Sequence, residues 1–268
     1  MIKQFFITGD CHGGKNVITR LSNIARNNPN SKPEETGIII LGDSGLNFWL
    51  NKTDIKYKKQ LSEMNFYVYC VRGNHEERPQ NLGYELRYDK HVDGEVYQDP
   101  HCHLLRYFQD GGIYTINGYR VLTIGGAYSV DKYWRLQNAK SSTWSGWFED
   151  EQLYNDEKNA ILNKIRGQSF DFVLTHTAPI SWEPNDLFLP MIDQSSVDKG
   201  MEFWLEEVKK NINYNKWYWG HFHADRLERP NVFQMFFGYY HMDGIFNMTD
   251  EDRALLPKSP NYNNKGMM

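Results

Sequence analysis

Five times in this chain an apolar, β-branched or aromatic run stops on a tight polar cluster. KQFFITGD ends at Asp10, TGIIILGD at Asp43, FYVYCVRGN at Asn74, FDFVLTH at His176 and KWYWGH at His221. Continuous apolar runs of this kind suit strands buried on both faces, since alternation appears only where one face meets water. Helix-like stretches lie between them: residues 14–27 place Val17, Leu21 and Ile24 on one face, and residues 149–165 place Leu153, Ala160 and Ile161 likewise. Residues 195–211 open with serines suited to capping and close on lysines that suit a helix C-terminus. Strand and helix in alternation build a parallel sheet, which carries the carboxyl end of every strand to one rim. The middle of the chain differs: GGIYTINGYRVLTIGGAY is two β-rich runs joined by Asn117-Gly118, a hairpin signal that brings antiparallel strands into the same architecture. The GGAY ending brings Tyr128 and the loop after it near that rim.

The side chains gathered at the strand ends are Asp10 and His12, Asp43, Asn74 and His75, His176, then His221 and His223; five of the nine histidines fall there. Carboxylate oxygen, amide oxygen and neutral imidazole nitrogen are the donors favoured by borderline divalent metals such as Mn, Fe, Co or Zn. The Asp-x-His and His-x-His spacings put alternate side chains on one side of an extended turn, so each pair can grip one ion. Taken singly, every element has an ordinary reading: a turn-forming aspartate, a capped loop, a half-exposed strand histidine, a core histidine. Their joint occurrence, in order and always at a strand end, is what points to a site.

This series resembles the calcineurin-like metallophosphoesterases, whose motifs appear here as GDCHG (9–13), GD (42–43), GNHE (73–76), TH (175–176) and GHFH (220–223). The resemblance spans about four fifths of the chain. It implies a four-layer α/β/β/α sandwich of two mixed sheets flanked by helices, with two metals on the strand-end rim. Residues 1–248 then form the catalytic domain, residues 128–152 a cap or insert, and residues 249–268 a peripheral C-terminal tail. Carried over by position, Asp10, His12 and His223 hold one ion, Asn74, His176 and His221 hold the other, and Asp43 bridges them. The resemblance further implies two divalent cations, manganese first with Fe, Zn, Co or Ni as alternatives. Two such cations ~3.5–4 Å apart can share a hydroxide and clamp phosphoryl oxygens through an in-line displacement. His75, beside Asn74, becomes the general acid that protonates the leaving oxygen, or else a rim histidine that only hydrogen-bonds phosphate.

Substrate contacts are expected from Arg72, Asn74 and Arg135. Arg72 either forks onto phosphate or sits in a surface salt bridge. RGNHE resembles the serine/threonine protein phosphatase branch, yet that branch continues its second motif as GDxVDRG where this chain has GDSGLNFW. Leu46 replaces an aspartate and Asn47 the branch's phosphate-binding arginine. The stretch 128–152, rich in Tyr, Trp, Lys and Arg, either brings Lys132 and Arg135 to a phosphate or packs as an aromatic cluster. His101, Cys102 and His103 read as loop chemistry, His91 has no sequence partner, His241 is a candidate support for the rim, and Cys11 reads as a small core residue.

A net charge of −4 argues against an extended nucleic-acid surface. Three cysteines without paired spacing fit a reducing compartment, and no segment reaches membrane-spanning length, so a soluble cytoplasmic protein is expected. The favoured activity is a phosphomonoesterase acting on a phosphorylated small molecule, nucleotide or phosphoprotein. A phosphodiesterase or nuclease for nucleotides or nucleic-acid ends is the alternative, and a non-catalytic metal-binding scaffold is the alternative of another class.

Overall fold

The computed structural model describes residues 1–138, 146–188, 190 and 192–243. Residues 139–145 of the expected cap and the expected tail, 249–268, lie outside the described residues. Two mixed sheets face each other. The first has seven strands in the order β13-β1-β2-β3-β6-β5-β4, from β1 (Gln4–Thr8), β2 (Thr36–Leu41), β3 (Tyr67–Val71), β4 (Glu85–Asp89), β5 (Gly94–Gln98), β6 (Leu105–Phe108) and β13 (Tyr239–His241). The second has six in the order β11-β12-β10-β9-β8-β7, from β7 (Gly112–Ile116), β8 (Tyr119–Ile124), β9 (Ser169–Thr175), β10 (Asn213–Trp219), β11 (Arg226–Arg229) and β12 (Val232–Gln234).

Side-chain alternation along the strands creates the layers. Phe5 and Ile7 of β1 and Tyr69 of β3 meet Phe172 and Leu174 of β9 and Tyr218 of β10 between the sheets. The residues in between turn outward. Phe6, Ile38, Ile40 and Val68 pack under α1 (Gly14–Asn27) and α2 (Lys52–Glu63), with Val17, Leu21, Ile24 and Leu61 supplied by the helices. On the far side Val173, Trp217 and Trp219 receive Ile161 and Ile165 of α4 (Asn155–Ile165) and Met201, Leu205 and Val208 of α5 (Gly200–Asn211). The result is the expected α/β/β/α sandwich. A short helix, α3 (Lys132–Asn138), lies within the stretch 128–152. No helix among the described residues is long and apolar enough to cross a membrane.

The five apolar runs are β1, β2, β3, β9 and β10, and within each sheet they pair in parallel, β1 with β2, β2 with β3 and β9 with β10. Asn117 and Gly118 turn the β7–β8 hairpin with φ of 50° and 84°, the two positive values that a tight primed turn needs. Two helix expectations need correction. The stretch 149–165 is helical only from Asn155, Ala160 is exposed, and Leu153 joins the outer core from the loop before the helix. In 195–211 the serines belong to a separate turn, where Asp193 accepts from Ser195 N–H, and α5 begins at Gly200.

Candidate metal centre

All the rim residues sit in loops that leave the carboxyl ends of parallel strands, three from the first sheet and two from the second. Turning these side chains back over the strand ends needs unusual backbone. His12, Asp43, His221 and His223 all adopt left-handed φ, at 52°, 45°, 67° and 52°. For residues with a Cβ this costs ~1–3 kcal/mol each and persists only where surrounding packing enforces it. Glycine permits the closest approaches. A Cβ on Gly42, itself at φ 94°, would lie 2.0 Å from His176 Nδ1, and one on Gly73 would lie 1.9 Å from Asp43 Oδ1.

The side chains converge in two overlapping groups, Asp10 with His12 and His223, and Asp10 with Asp43 and His176; within each, the ligand atoms all lie within 4.8 Å of one another. His12 Nε2 and His223 Nε2 are 2.7 Å apart, with Asp10 Oδ2 at 3.9 Å and 3.5 Å. His176 Nε2 is 2.8 Å from Asn74 Oδ1 and 3.7 Å from Asp43 Oδ1. Asp10 is common to both groups, and Asp43 joins it in the second. Asp43 Oδ1 accepts from the His75 backbone N–H at 2.8 Å. His221 belongs to neither group as it stands: its ring packs 5.1 Å from that of His176, and its N–H donates to Asp10 Oδ1 at 2.9 Å.

Burial opposes ionisation of Asp10 and Asp43, yet neighbouring histidines outweigh it and hold both carboxyls below the usual range. The surrounding protein pushes the His221 ring down to about 3 and lowers His12 as well, although His12 is open to solvent at the rim, so the neutral imidazole wanted by a cation is favoured at both. Burial also opposes protonation of His223, but its hydrogen bond to Asp10 prevails and raises it.

His75 stands at the edge of this cluster, its ring 5.9 Å from that of His12 and 6.4 Å from that of Phe48. Burial pushes its pKa down to about 4, and the charge of Arg135 adds to the fall. Arg135 itself donates from Nε to Asp131 Oδ2 at 2.7 Å and from a terminal nitrogen to the Gly146 carbonyl at 3.0 Å, with its guanidinium over Phe48. Arg72 does not face the rim. It is buried, paired through Nε with Asp110 Oδ2 at 3.1 Å, and donates to the Glu151 carbonyl at 2.8 Å. In place of the phosphate contact expected of it, Arg72 just after β3 forms a buried ion pair and reaches backbone carbonyls. Asn47 is also turned inward, where its Oδ1 accepts from Lys58 Nζ at 2.8 Å and from the Tyr84 hydroxyl at 2.7 Å.

The remaining histidines stay away from the cluster. His91 Nδ1 accepts from Ile2 N–H, and the exposed His101 is tied by its N–H to Asp99, with exposed His103 in the same loop. His241 is opposite Phe6 in the β1–β13 pair and packs edge-on against that ring. Cys11 lies in the core under α1, its thiol pushed up to about 12 by burial.

Three groups that the sequence pattern does not single out fix the loops. Glu76, fully buried, accepts from Gly73 N–H at 3.1 Å and from the Ser44 hydroxyl at 2.7 Å, tying the Asp43 loop to the Asn74 loop. Arg20 of α1 donates to Thr8 Oγ1 and to the carbonyl of Phe236. Ser129 accepts from Asn74 Nδ2 at 2.9 Å. The Glu at the end of GNHE was in plain view; its inward direction was not.

The family model for calcineurin-like phosphoesterase matches residues 3–225, a span that holds every residue of this rim. The chain belongs to the calcineurin-like phosphoesterases. No curated protein matches it significantly. A calcineurin-like phosphoesterase is a metal-dependent hydrolase of phosphate esters, and the residues present fit divalent ions. His176 shows why. Its Nδ1 lies 2.8 Å from the Leu41 carbonyl, which can only accept, so Nδ1 carries the proton. In the neutral ring Nε2 then offers a lone pair, and it faces the Asn74 Oδ1 lone pairs. Two acceptors held 2.8 Å apart repel unless a proton or a cation lies against both, which makes the pair a fitting seat for a divalent ion. A backbone carbonyl on Nδ1 with a free Nε2 is also the usual support of a metal-binding histidine.

Proposed function

We propose that this calcineurin-like phosphoesterase is a phosphomonoesterase for small phosphate esters, working with two divalent ions, manganese first among the candidates. Asp10, His12 and His223 hold one ion, Asn74, His176 and His221 the other, and Asp43 stands between them. The observation that carries the monoester reading is the walled corner around His75: Phe48 on one side, the Arg135 charge near it, and burial deep enough to bring the ring to about 4. A corner of this kind suits a terminal phosphate with one ester branch, and a cation beside it favours a dianion.

Bound ions supply Lewis-acid charge to the phosphoryl oxygens and bring the pKa of a water toward neutrality. The protein's own groups do the rest. At neutral pH the free His75 ring is uncharged; a dianionic phosphate arriving beside it favours the protonated form. That proton passes to the ester oxygen as the P–O bond breaks, so the alcohol leaves neutral. Asp43 accepts the His75 N–H and so fixes where the ring starts. The inward Asn47, where the protein phosphatase branch has an arginine, supports a small substrate over a phosphoprotein.

A second reading has its own support. Tyr133 and Trp134 of α3 are 63% and 65% exposed, and such rings can stack on bases, as a nucleotide diesterase would require. Protein loaded with Mn²⁺ and assayed on an aryl phosphate monoester, the matching diester, a cyclic nucleotide and a phosphopeptide separates the two. The monoester should turn over fastest; faster turnover of the diester or cyclic nucleotide would transfer the assignment.

A further inference from the structure

An asparagine can bind a cation only through its oxygen, and nothing intrinsic decides which way round the amide lies. Around Asn74 the proton accounting decides it. The Asn74 Nδ2 group donates to Ser129 Oγ at 2.9 Å. The Ser129 hydroxyl donates to Glu151 Oε2, and the Ser129 N–H donates to Glu151 Oε1 at 3.1 Å. A hydroxyl has one proton. With that proton committed to a carboxylate, Ser129 Oγ can only accept from the amide, and the reversed amide would set oxygen against oxygen. The Asn74 oxygen is thereby turned to His176.

Glu151 is itself aimed by backbone contacts on both sides. Arg72 donates to the Glu151 carbonyl at 2.8 Å, while Arg78 donates to the carbonyls of Asp150 at 2.9 Å and Gln152 at 2.7 Å. Asn74, Ser129, Glu151, Arg72 and Arg78 are all 4% exposed or less, so water cannot substitute for a lost partner cheaply. We infer that Ser129 and Glu151 are positioning residues that select the oxygen-out orientation of Asn74, and that the two arginines hold Glu151 for that purpose. The inference rests on the reading of Asn74 as a metal ligand.

Titration of metal-free protein with Mn²⁺, followed by calorimetry, tests both and tells them apart. Ser129→Ala should fold normally by circular dichroism and weaken one of two Mn²⁺ sites about 10–100-fold, the loss expected when a ligand's supporting hydrogen bond is removed. Glu151→Gln should act in the same direction, because its amide can donate to Ser129 Oγ and free the hydroxyl proton to face Asn74; this variant carries the test should the first fail to fold. In an Asn74→Asp background the Ser129→Ala step should cost under about 3-fold, since a carboxylate presents oxygen whichever way it turns. Equal losses in the two backgrounds would mark Ser129 as merely structural and overturn the inference. So would unchanged Mn²⁺ binding in Ser129→Ala, or in a folded Glu151→Gln, when Asn74→Ala has lost a site. Unchanged binding in Asn74→Ala itself would instead remove the ligand reading, and the inference with it.

Discussion

Turnover should depend on His75 more than on any other side chain that leaves the ions in place. His75→Ala is expected to keep its metal content and to lose about 10²–10⁴-fold in kcat on an ester with a poor leaving group. The loss should shrink on an activated aryl ester, which needs no proton; equal losses on both would remove the acid role. Asp43→Asn should bind fewer ions, measured by elemental analysis after gel filtration, and full two-ion loading would count against its place between them. Gly42→Ala puts a methyl 2.0 Å from His176 Nδ1 at a φ of 94°, so a loss of about 2 kcal/mol or more in urea unfolding is expected, with weakened metal binding. At this scale the sequence announces the donor atoms, because chemistry is a property of residue type. Direction is not. Arg72 and Asn47 look like rim residues beside their motifs, yet both turn inward, and Ser129 lies 55 positions from the amide it orients.

Along the elements, α5 hides a titrating group outside the centre. Glu202 is 4% exposed, its Oε1 accepts the Thr177 hydroxyl at 2.7 Å, and burial pushes its carboxyl from 4.5 up to about 7. A raised carboxyl contributes its full stability below its unfolded pKa, and that contribution is lost as pH rises through the folded value. The window is therefore 4.5 to 7, and the contribution is on the order of 3 kcal/mol. The difference in urea midpoint between wild type and Glu202→Gln should change across that window and be flat above it; a constant difference would show that Glu202 keeps its charge. Helix α1 is legible to the residue because its apolar spacing runs its whole length. Leu153 misleads, since it fills the same core as α4 from a stretch whose carbonyls are taken by Arg72 and Arg78. Strand β4 lies at a sheet edge with Glu85, Leu86, Arg87 and Tyr88 all exposed, where no continuous apolar run is required and none is written.

For the molecule as a whole, the proposed ligands come from both sheets, so ions bound there would hold the two sheets to each other. Mn²⁺ at 100 times its dissociation constant should stabilise the folded state by about 2.7 kcal/mol per site, and chelation should reverse it. A melting temperature unmoved by Mn²⁺ or by EDTA would contradict that clamp. The parallel strands and their common rim are legible because the same strand ending recurs in each half of the chain, whereas the division into two facing sheets is implied only by the family resemblance. The return of β13 to the far edge of the first sheet is not legible, since three residues at an edge carry too little pattern to announce a partner more than two hundred positions away. The crossing between sheets, from β6 at Phe108 to β7 at Gly112, has a consequence for synthesis. A ribosome delivers Asp10 on the order of 10–40 s before His223. Through that interval the growing polypeptide carries only part of the proposed cradle, so capture of divalent ions there would come late in its maturation, and a cell short of the metal would accumulate finished but idle copies.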